Sequence, residues 1–268
     1  RFRLYKLNRR GVQKRGVQKR GPQNRAAGGP LLRVLLPAAL LCAALLLAGS
    51  CSGQPPELAQ LFWQLNVVYD TQATTQYEEL TLFVQAEDAD GLQDIDQLEL
   101  LHNQQELLWS FDSAQWRTVE REGESWIGTN GIRTSSAPIL PRGEYRVKLS
   151  DKAGEAAETA FIVSSDIVGL QKGSLATGHF PAAEVGSRRI TLSSTAPELL
   201  ISLYDAEGGF IRSEMVELNG PARYTLTIEN WAGRWPGARS IRLQQYDAAG
   251  GIGLVSGPYE LPELSAEQ

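Results

Sequence analysis

Apolar and polar residues alternate along much of the chain, so that every second side chain is hydrophobic. The clearest runs are residues 80–86, 145–149, 224–228 and 241–243. Because successive side chains of a strand point to opposite faces, each run predicts a strand with one buried face and one solvated face. No apolar pattern with the helical period extends over more than about two turns. The pattern therefore predicts an all-β protein.

Turn signals that contain glycine separate these predicted strands at short spacing. They are Asp90-Gly91, Asn130-Gly131, Arg142-Gly143, Ala153-Gly154, Gly208-Gly209, Asn219-Gly220 and Gly250-Gly251. Glycine accepts the positive φ that a tight hairpin requires. Two signals repeat one motif, in which a strand ends in Tyr-Asp and the turn contains Gly-Gly, at residues 204–209 and 246–251. Short strands with such turns are typical of β-sandwiches.

The stretch LPRGEYRVKLSDKAGEAAETAFIV, residues 140–163, carries the most specific pattern. Leu140-Pro141, Gly143 and Tyr145 resemble the tyrosine-corner entry of immunoglobulin-like and fibronectin type III-like sandwiches. Upstream, QAEDADGLQDIDQLEL at residues 85–100 resembles the segment that crosses between the two sheets of such domains. The resemblance covers about residues 58–164 and implies an immunoglobulin-like β-sandwich there.

A second β-sandwich-like domain is predicted for residues 165–268, from the two Tyr-Asp/Gly-Gly hairpins. The boundary is expected within residues 164–179, and a single merged sandwich is the alternative. The expected fold class is therefore all-β, with two immunoglobulin-like β-sandwich domains. They follow an export segment at residues 1–50 and a short tether at residues 51–57.

The first 50 residues differ in charge from the rest of the chain. They carry 11 Lys/Arg and no acidic residue, whereas residues 51–268 carry 15 Lys/Arg and 31 Asp/Glu. Residues 1–33 are basic, and we interpret the repeat GVQKR-GVQKR-GPQNR as a translated upstream stretch or an overlong signal n-region rather than a nucleic-acid-binding arm. The acidity of residues 51–268 argues against nucleic acid as a partner.

An apolar run at residues 34–47 ends in Ala48-Gly49-Ser50-Cys51. The run is shorter than the roughly 20 residues of a spanning helix, so it predicts a signal core. The last four residues resemble a lipobox, which implies cleavage before Cys51 and a membrane anchor of acyl chains such as palmitate on that cysteine. Cys42 would leave with the signal, so no disulfide is expected. An ordinary secretory signal is the alternative.

Four aspartates crowd one predicted loop: Asp88, Asp90, Asp94 and Asp96. Calcium takes several oxygen ligands from flexible loops, so these residues are a candidate calcium site. No other cofactor is expected. The EF-hand spacing does not fit. The alternative is a solvated turn in which the aspartates bind their own backbone.

Six tryptophans offer candidate recognition surface. Trp116, Trp126 and Trp235 lie among polar or turn residues, so we expect any ligand surface to include them. Core packing is the alternative, because large aromatic residues dominate sandwich cores. No metal-ligating histidine spacing, nucleophile elbow, P-loop or dinucleotide fingerprint is present in the sequence, so the protein is not expected to be an enzyme.

These observations predict a lipid-anchored envelope protein with a binding or scaffolding role. The stretches PELAQLFWQLNVVYD, LLWSFDSAQW and ESWIGTNGI are similar to uncharacterised lipoproteins of spirochaetes. Ser52 does not match the aspartate that marks inner-membrane retention in enteric bacteria, which favours the outer membrane. The expected partners are the membrane, through Cys51, and an envelope protein or glycan. A carbohydrate-binding or glycan-processing accessory module is the alternative function.

Overall fold

The computed structural model describes residues 5–6, 54–218, 223–227 and 233–262. The predicted signal segment, apart from residues 5–6, and Cys51 lie outside these ranges. The first nine strands are β1 (Tyr5–Lys6), β2 (Glu57–Asp70), β3 (Thr75–Glu87), β4 (Ile95–His102), β5 (Leu107–Phe111), β6 (Arg117–Arg121), β7 (Glu124–Ile132), β8 (Gly143–Asp151) and β9 (Ala156–Val163). The others are β10 (Ala182–Val185), β11 (Arg189–Ser193), β12 (Glu198–Tyr204), β13 (Phe210–Glu217), β14 (Arg223–Thr227), β15 (Ser240–Asp247) and β16 (Ile252–Glu260).

The strands form three sheets, which confirms the all-β prediction. The large sheet has nine strands in the order β13-β12-β15-β16-β2-β3-β7-β6, with β1 also paired to β2. A four-stranded sheet has the order β5-β4-β8-β9, and a three-stranded sheet has the order β10-β11-β14. Within the large sheet, β16 pairs with β2 in parallel. Through this pairing, strands from both predicted domains share one sheet, so the two sandwiches are not separate sheet pairs.

Both hydrophobic cores lie on the same face of the large sheet, which we call the core face. The four-stranded sheet covers β2, β3 and β7, and the residues between them include Leu65, Leu82, Leu100 and Leu149. The three-stranded sheet covers β12 and β15 in a second core. The alternation predicted at residues 80–86, 145–149 and 241–243 is confirmed, because the apolar member of each pair is buried. Ile228 lies outside the described residues.

The tyrosine corner is present at the start of β8. The phenol of Tyr145 donates a hydrogen bond to the Pro141 carbonyl at 2.8 Å. The Tyr145 ring stacks on Phe161 with 5.4 Å between centroids. Burial raises the pKa of the Tyr145 phenol above its ordinary value of 10.0. The corner therefore fixes the entry of β8 into the first core.

The connection from β9 to β10 is held against the first core by a buried ion pair. Arg142 binds both carboxylate oxygens of Glu78, each at 2.8 Å. The same carboxylate accepts hydrogen bonds from the Leu140 and Leu170 amides. Arg142 also donates to the carbonyl of Ile167, which belongs to the connection. The domain boundary was expected within residues 164–179. Ile167 and Leu170 of this segment are hydrogen-bonded to the ion pair that Glu78 of β3 forms with Arg142.

Three of the seven predicted turns are hairpins, at Ala153-Gly154, Gly208-Gly209 and Gly250-Gly251. Asp90-Gly91 lies in, and Arg142-Gly143 at the end of, connections between the two sheets of the first core, and Asn219-Gly220 lies outside the described residues. The motifs at residues 204–209 and 246–251 connect β12 to β13 and β15 to β16, as predicted. Asn130-Gly131, in contrast, lies inside β7, where the register with β3 shifts. Gly131 has a φ of 79°, which suits a β-bulge as well as a hairpin turn. The prediction of a turn there was wrong.

Helical structure is limited to short segments, among them the 3-10 turns Leu92–Asp94, Asn103–Gln105 and Thr177–His179. In the ranges that the structure describes, no helix has both the length and the apolar character needed to cross a bilayer.

Candidate ligand site on the polar face of the large sheet

The face of the large sheet opposite the two cores, which we call the polar face, carries buried polar side chains. Residues of β2 and β3 that alternate with the core residues point to this face. Its most buried polar members are Gln64, Asn66, Glu79, Thr81 and Gln85. Neither smaller sheet pairs with or covers this face, since both pack on the core face. The polar side chains on this face are therefore buried by the shape of the large sheet itself.

The large sheet curls until side chains of its two edge strands touch. Arg117 belongs to β6 and Phe210 to β13, the two ends of the strand order. The guanidinium carbon of Arg117 lies 3.7 Å from the centroid of the Phe210 ring, a cation–π contact. Sheets with this many strands accumulate twist and coil. The polar face is therefore concave, and it encloses a cleft.

A chain of hydrogen bonds forms the floor of this concave face. The Gln244 amide in β15 donates to the Asn66 side-chain oxygen in β2 at 3.2 Å. The Asn66 amide donates in turn to the Thr81 hydroxyl in β3 at 3.0 Å. Strand β16 lies between β15 and β2, and a Cβ at its Gly253 would overlap the Asn66 side-chain oxygen. The missing side chain of Gly253 thus lets polar groups from the two halves of the sheet meet.

The cleft beside this floor, which we call the polar cleft, has a volume of about 410 Å³. This volume lies within the roughly 300–1,000 Å³ that is usual for small-molecule sites. Its charged lining residues are three acids and three arginines: Glu79, Asp205, Glu260, Arg117, Arg239 and Arg242. Its neutral polar lining residues include Gln72, Thr81, Asn130, Ser202, Tyr204 and Gln244.

Glu79 is the most unusual group in the polar cleft. The residue is 6 % exposed, and its carboxylate forms no hydrogen bond or ion pair with any residue that the structure describes. Burial raises the pKa of its carboxyl group above the ordinary 4.5, while the positive charges of Arg242, Arg133 and Arg117 oppose that shift. The Glu79 carboxylate therefore lines the cleft without a partner among the described residues. Such a group can accept hydrogen bonds from a bound ligand.

The other acids of the cleft already have partners. The Asp205 carboxylate accepts hydrogen bonds from the Glu207 and Gly209 amides in the β12–β13 turn. The Glu260 carboxylate accepts a hydrogen bond from the side-chain amide of Gln72 at 3.0 Å. Glu79 therefore differs from them in its missing partner, not merely in its burial.

The polar cleft was not predicted from the sequence. Tyr77, Glu79 and Thr81 alternate with Leu80 and Leu82, a pattern that predicts an ordinary solvated face. Local sequence contains no signal for the curl that buries this face.

Three of the four predicted calcium ligands lie together. Carboxylate oxygens of Asp88, Asp90 and Asp94 lie within 4.8 Å of one another. Asp88 also accepts a hydrogen bond from the Asp90 amide at 2.7 Å, as the alternative of a self-bonded turn expects. Asp96 is an exposed residue of β4 and is not part of the group. Calcium at this loop stays a prediction.

The structure does not place the three predicted tryptophans on one exposed ligand surface. Trp235 is 1 % exposed in the second core, and its indole donates to Glu214 at 2.7 Å. Trp116 is half-buried and packs against the first core. Trp126 is 9 % exposed and lies opposite Gln85 on the polar face. The expectation is corrected for Trp235, because its large apolar surface is buried in the second core. For Trp116, which is only half-buried, a role in ligand binding stays a prediction.

Comparisons with known proteins leave the family open. No family model matches the chain, and no curated protein matches it. Among solved structures, dimeric latent PorU from Porphyromonas gingivalis is similar, with a TM-score of 0.28 and 11 % identity over 78 % of this chain. The chain spans about a fifth of that protein, 21 % of its length. A likeness at this TM-score carries no argument about function.

Proposed function

We propose that this chain is a non-catalytic binding protein of the bacterial cell envelope, and that it takes its ligand in the polar cleft. The observation that carries the proposal is Glu79, a largely buried residue of the concave face whose carboxylate has no hydrogen-bond or ion-pair partner among the described residues. A charge in this state costs free energy in the ligand-free protein. Unfavourable groups of this kind are typical of binding sites, where the ligand supplies the missing partner.

Replacement of Glu79 with glutamine should stabilise the ligand-free protein at neutral pH. We expect a gain of about 1 kcal/mol in the free energy of unfolding, because the variant removes a buried charge and keeps the shape of the side chain. Urea unfolding at pH 7 measures this gain. The matched control is Glu78→Gln, one residue earlier on the opposite face, which should lose stability because Glu78 is fully paired.

The pH dependence gives the same test a second readout. The folded pKa of Glu79 is raised, so wild-type protein gains stability as the pH falls through that pKa. The advantage of Glu79→Gln should therefore shrink as the pH approaches 4.5. A Glu79→Gln variant that is less stable than wild type at pH 7 would make Glu79 a structural group and contradict the proposal.

The envelope location is supported by the lipobox resemblance at residues 48–51. We expect Cys51→Ser to move the protein from the membrane fraction to the soluble fraction almost completely, because the acyl anchor would be lost. Cys42→Ser is the control, since that cysteine lies in the predicted signal core, and it should leave the protein membrane-bound. Immunoblots of salt-washed membranes read the result. A Cys51→Ser protein that still pelleted after the wash would contradict the anchor.

A further inference from the structure

We infer that the ligand of the polar cleft is a neutral carbohydrate, held by hydroxyl hydrogen bonds to Glu79 and to the surrounding arginines. This inference rests on the function proposed above and adds the chemical class of the ligand.

The balance of charge in the polar cleft disfavours ligands with a net charge. Three acids face three arginines across the lining. An anion would meet the unpaired carboxylate of Glu79, and burial strengthens that repulsion. A cation at Glu79 would lie in the positive field of Arg242, Arg133 and Arg117, the groups whose charge acts on Glu79. The same field opposes the ammonium group of an amino acid. A neutral ligand avoids both penalties.

A hydroxyl group satisfies both kinds of charged residue in the cleft. Carboxylates only accept hydrogen bonds and guanidinium groups only donate them, whereas a hydroxyl does both. A sugar ring offers several hydroxyls in different directions and can therefore pair with Glu79, Arg117 and Arg242 together. The neutral lining residues Thr81, Asn130 and Gln244 add further donors and acceptors. An apolar ligand would leave the Glu79 carboxylate unpaired among the described residues.

The cleft also provides an aromatic side chain beside its charged groups. Tyr204 lines the cleft, and its ring contacts Phe210 edge to face with 5.9 Å between centroids. Arg242 lies over the Tyr204 ring at 5.8 Å from its centroid. Tyr204 is thus held from two sides beside the arginines. The C–H groups of one sugar unit can contact the Tyr204 side chain while its hydroxyls pair with the neighbouring arginines.

The test is isothermal titration of the folded protein with defined tetrasaccharides. Neutral probes are the β-1,4- and α-1,4-linked glucose, mannose, galactose and N-acetylglucosamine tetramers, and the contrasting probes are tetragalacturonate and glutamine. We expect a neutral tetramer to bind. Glu79→Gln and Arg242→Met should each weaken it by about tenfold or more, because each removes a charge-assisted hydrogen bond. Glu184→Gln and Arg188→Met, two exposed positions outside the cleft, should bind like wild type.

The outcomes separate this inference from the proposed function. If Glu79→Gln is more stable than wild type but no neutral tetramer binds, the carbohydrate inference is overturned and the binding site stands. Preference for tetragalacturonate or glutamine also overturns it. Neutral binding that both cleft variants leave unchanged places the sugar elsewhere and overturns the assignment to this cleft. If Glu79→Gln is less stable than wild type, the proposed function and the inference fall together.

Discussion

Replacing Arg142 with methionine should lower the free energy of unfolding by about 3–5 kcal/mol, the usual cost of leaving one member of a buried ion pair alone. The Glu78 side chain is 0 % exposed and Arg142 is 7 % exposed, so water cannot replace the lost partner. The variant also removes the donors to the carbonyls of Ile167 and Val168, which hold the connection between β9 and β10. Urea unfolding monitored by tryptophan fluorescence measures the loss.

The double variant Glu78→Gln/Arg142→Met is the control for this prediction. It removes both charges, so no buried carboxylate is left unpaired, and it should recover most of the stability lost in the single variant. A loss of less than about 1 kcal/mol in Arg142→Met would match a solvent-exposed salt bridge and would contradict the buried, fully paired arrangement.

Replacing Trp235 with alanine should cost about 3–5 kcal/mol, because it empties the largest fully buried side-chain site of the second core. It also leaves the Glu214 carboxylate without the indole donor. Trp235→Phe should cost clearly less, since it keeps most of the apolar volume and loses the hydrogen bond. Thermal and urea unfolding of both variants give the comparison.

The same variants decide between two roles for Trp235. A core residue loses stability on truncation and leaves ligand affinity unchanged in the fraction that stays folded. A Trp235→Ala protein with wild-type stability would put this side chain back on the surface, where the sequence pattern predicted it. In that case the assignment of the second core would need revision.

Local patterns predicted the strands well because they depend on the core face alone. Every second residue in 80–86 and 145–149 contacts a core, so hydrophobicity marks these strands directly. The Tyr-Asp and Gly-Gly hairpins are equally local, since one turn determines each of them. Such features need no knowledge of distant residues.

The polar cleft depends instead on pairings between distant parts of the chain. Strands that pair in parallel, such as β16 and β2, are not joined by a tight turn, so no turn motif in the sequence indicates their pairing. Glu79 and Arg242 line the same cleft only because that pairing brings β15 close to β3. Asn130-Gly131 also could not be assigned from local sequence, because the positive φ of Gly131 suits a hairpin turn as well as the β-bulge that it forms here. The sequence therefore predicts the strands and their buried sides, but not the curl or the site inside it.

The position of β16 also constrains how the protein can be made. Thr71 and Pro258 are 187 positions apart yet share a hydrogen bond, and Ile252 and Leu254 complete the first core. Translation must therefore run almost to residue 260 before the first half of the molecule can close. Contacts between such remote segments form slowly, and the incomplete chain meanwhile exposes unpaired strands. A polypeptide that acquires its native form only after synthesis is finished is also one that an export machine can thread through a membrane beforehand.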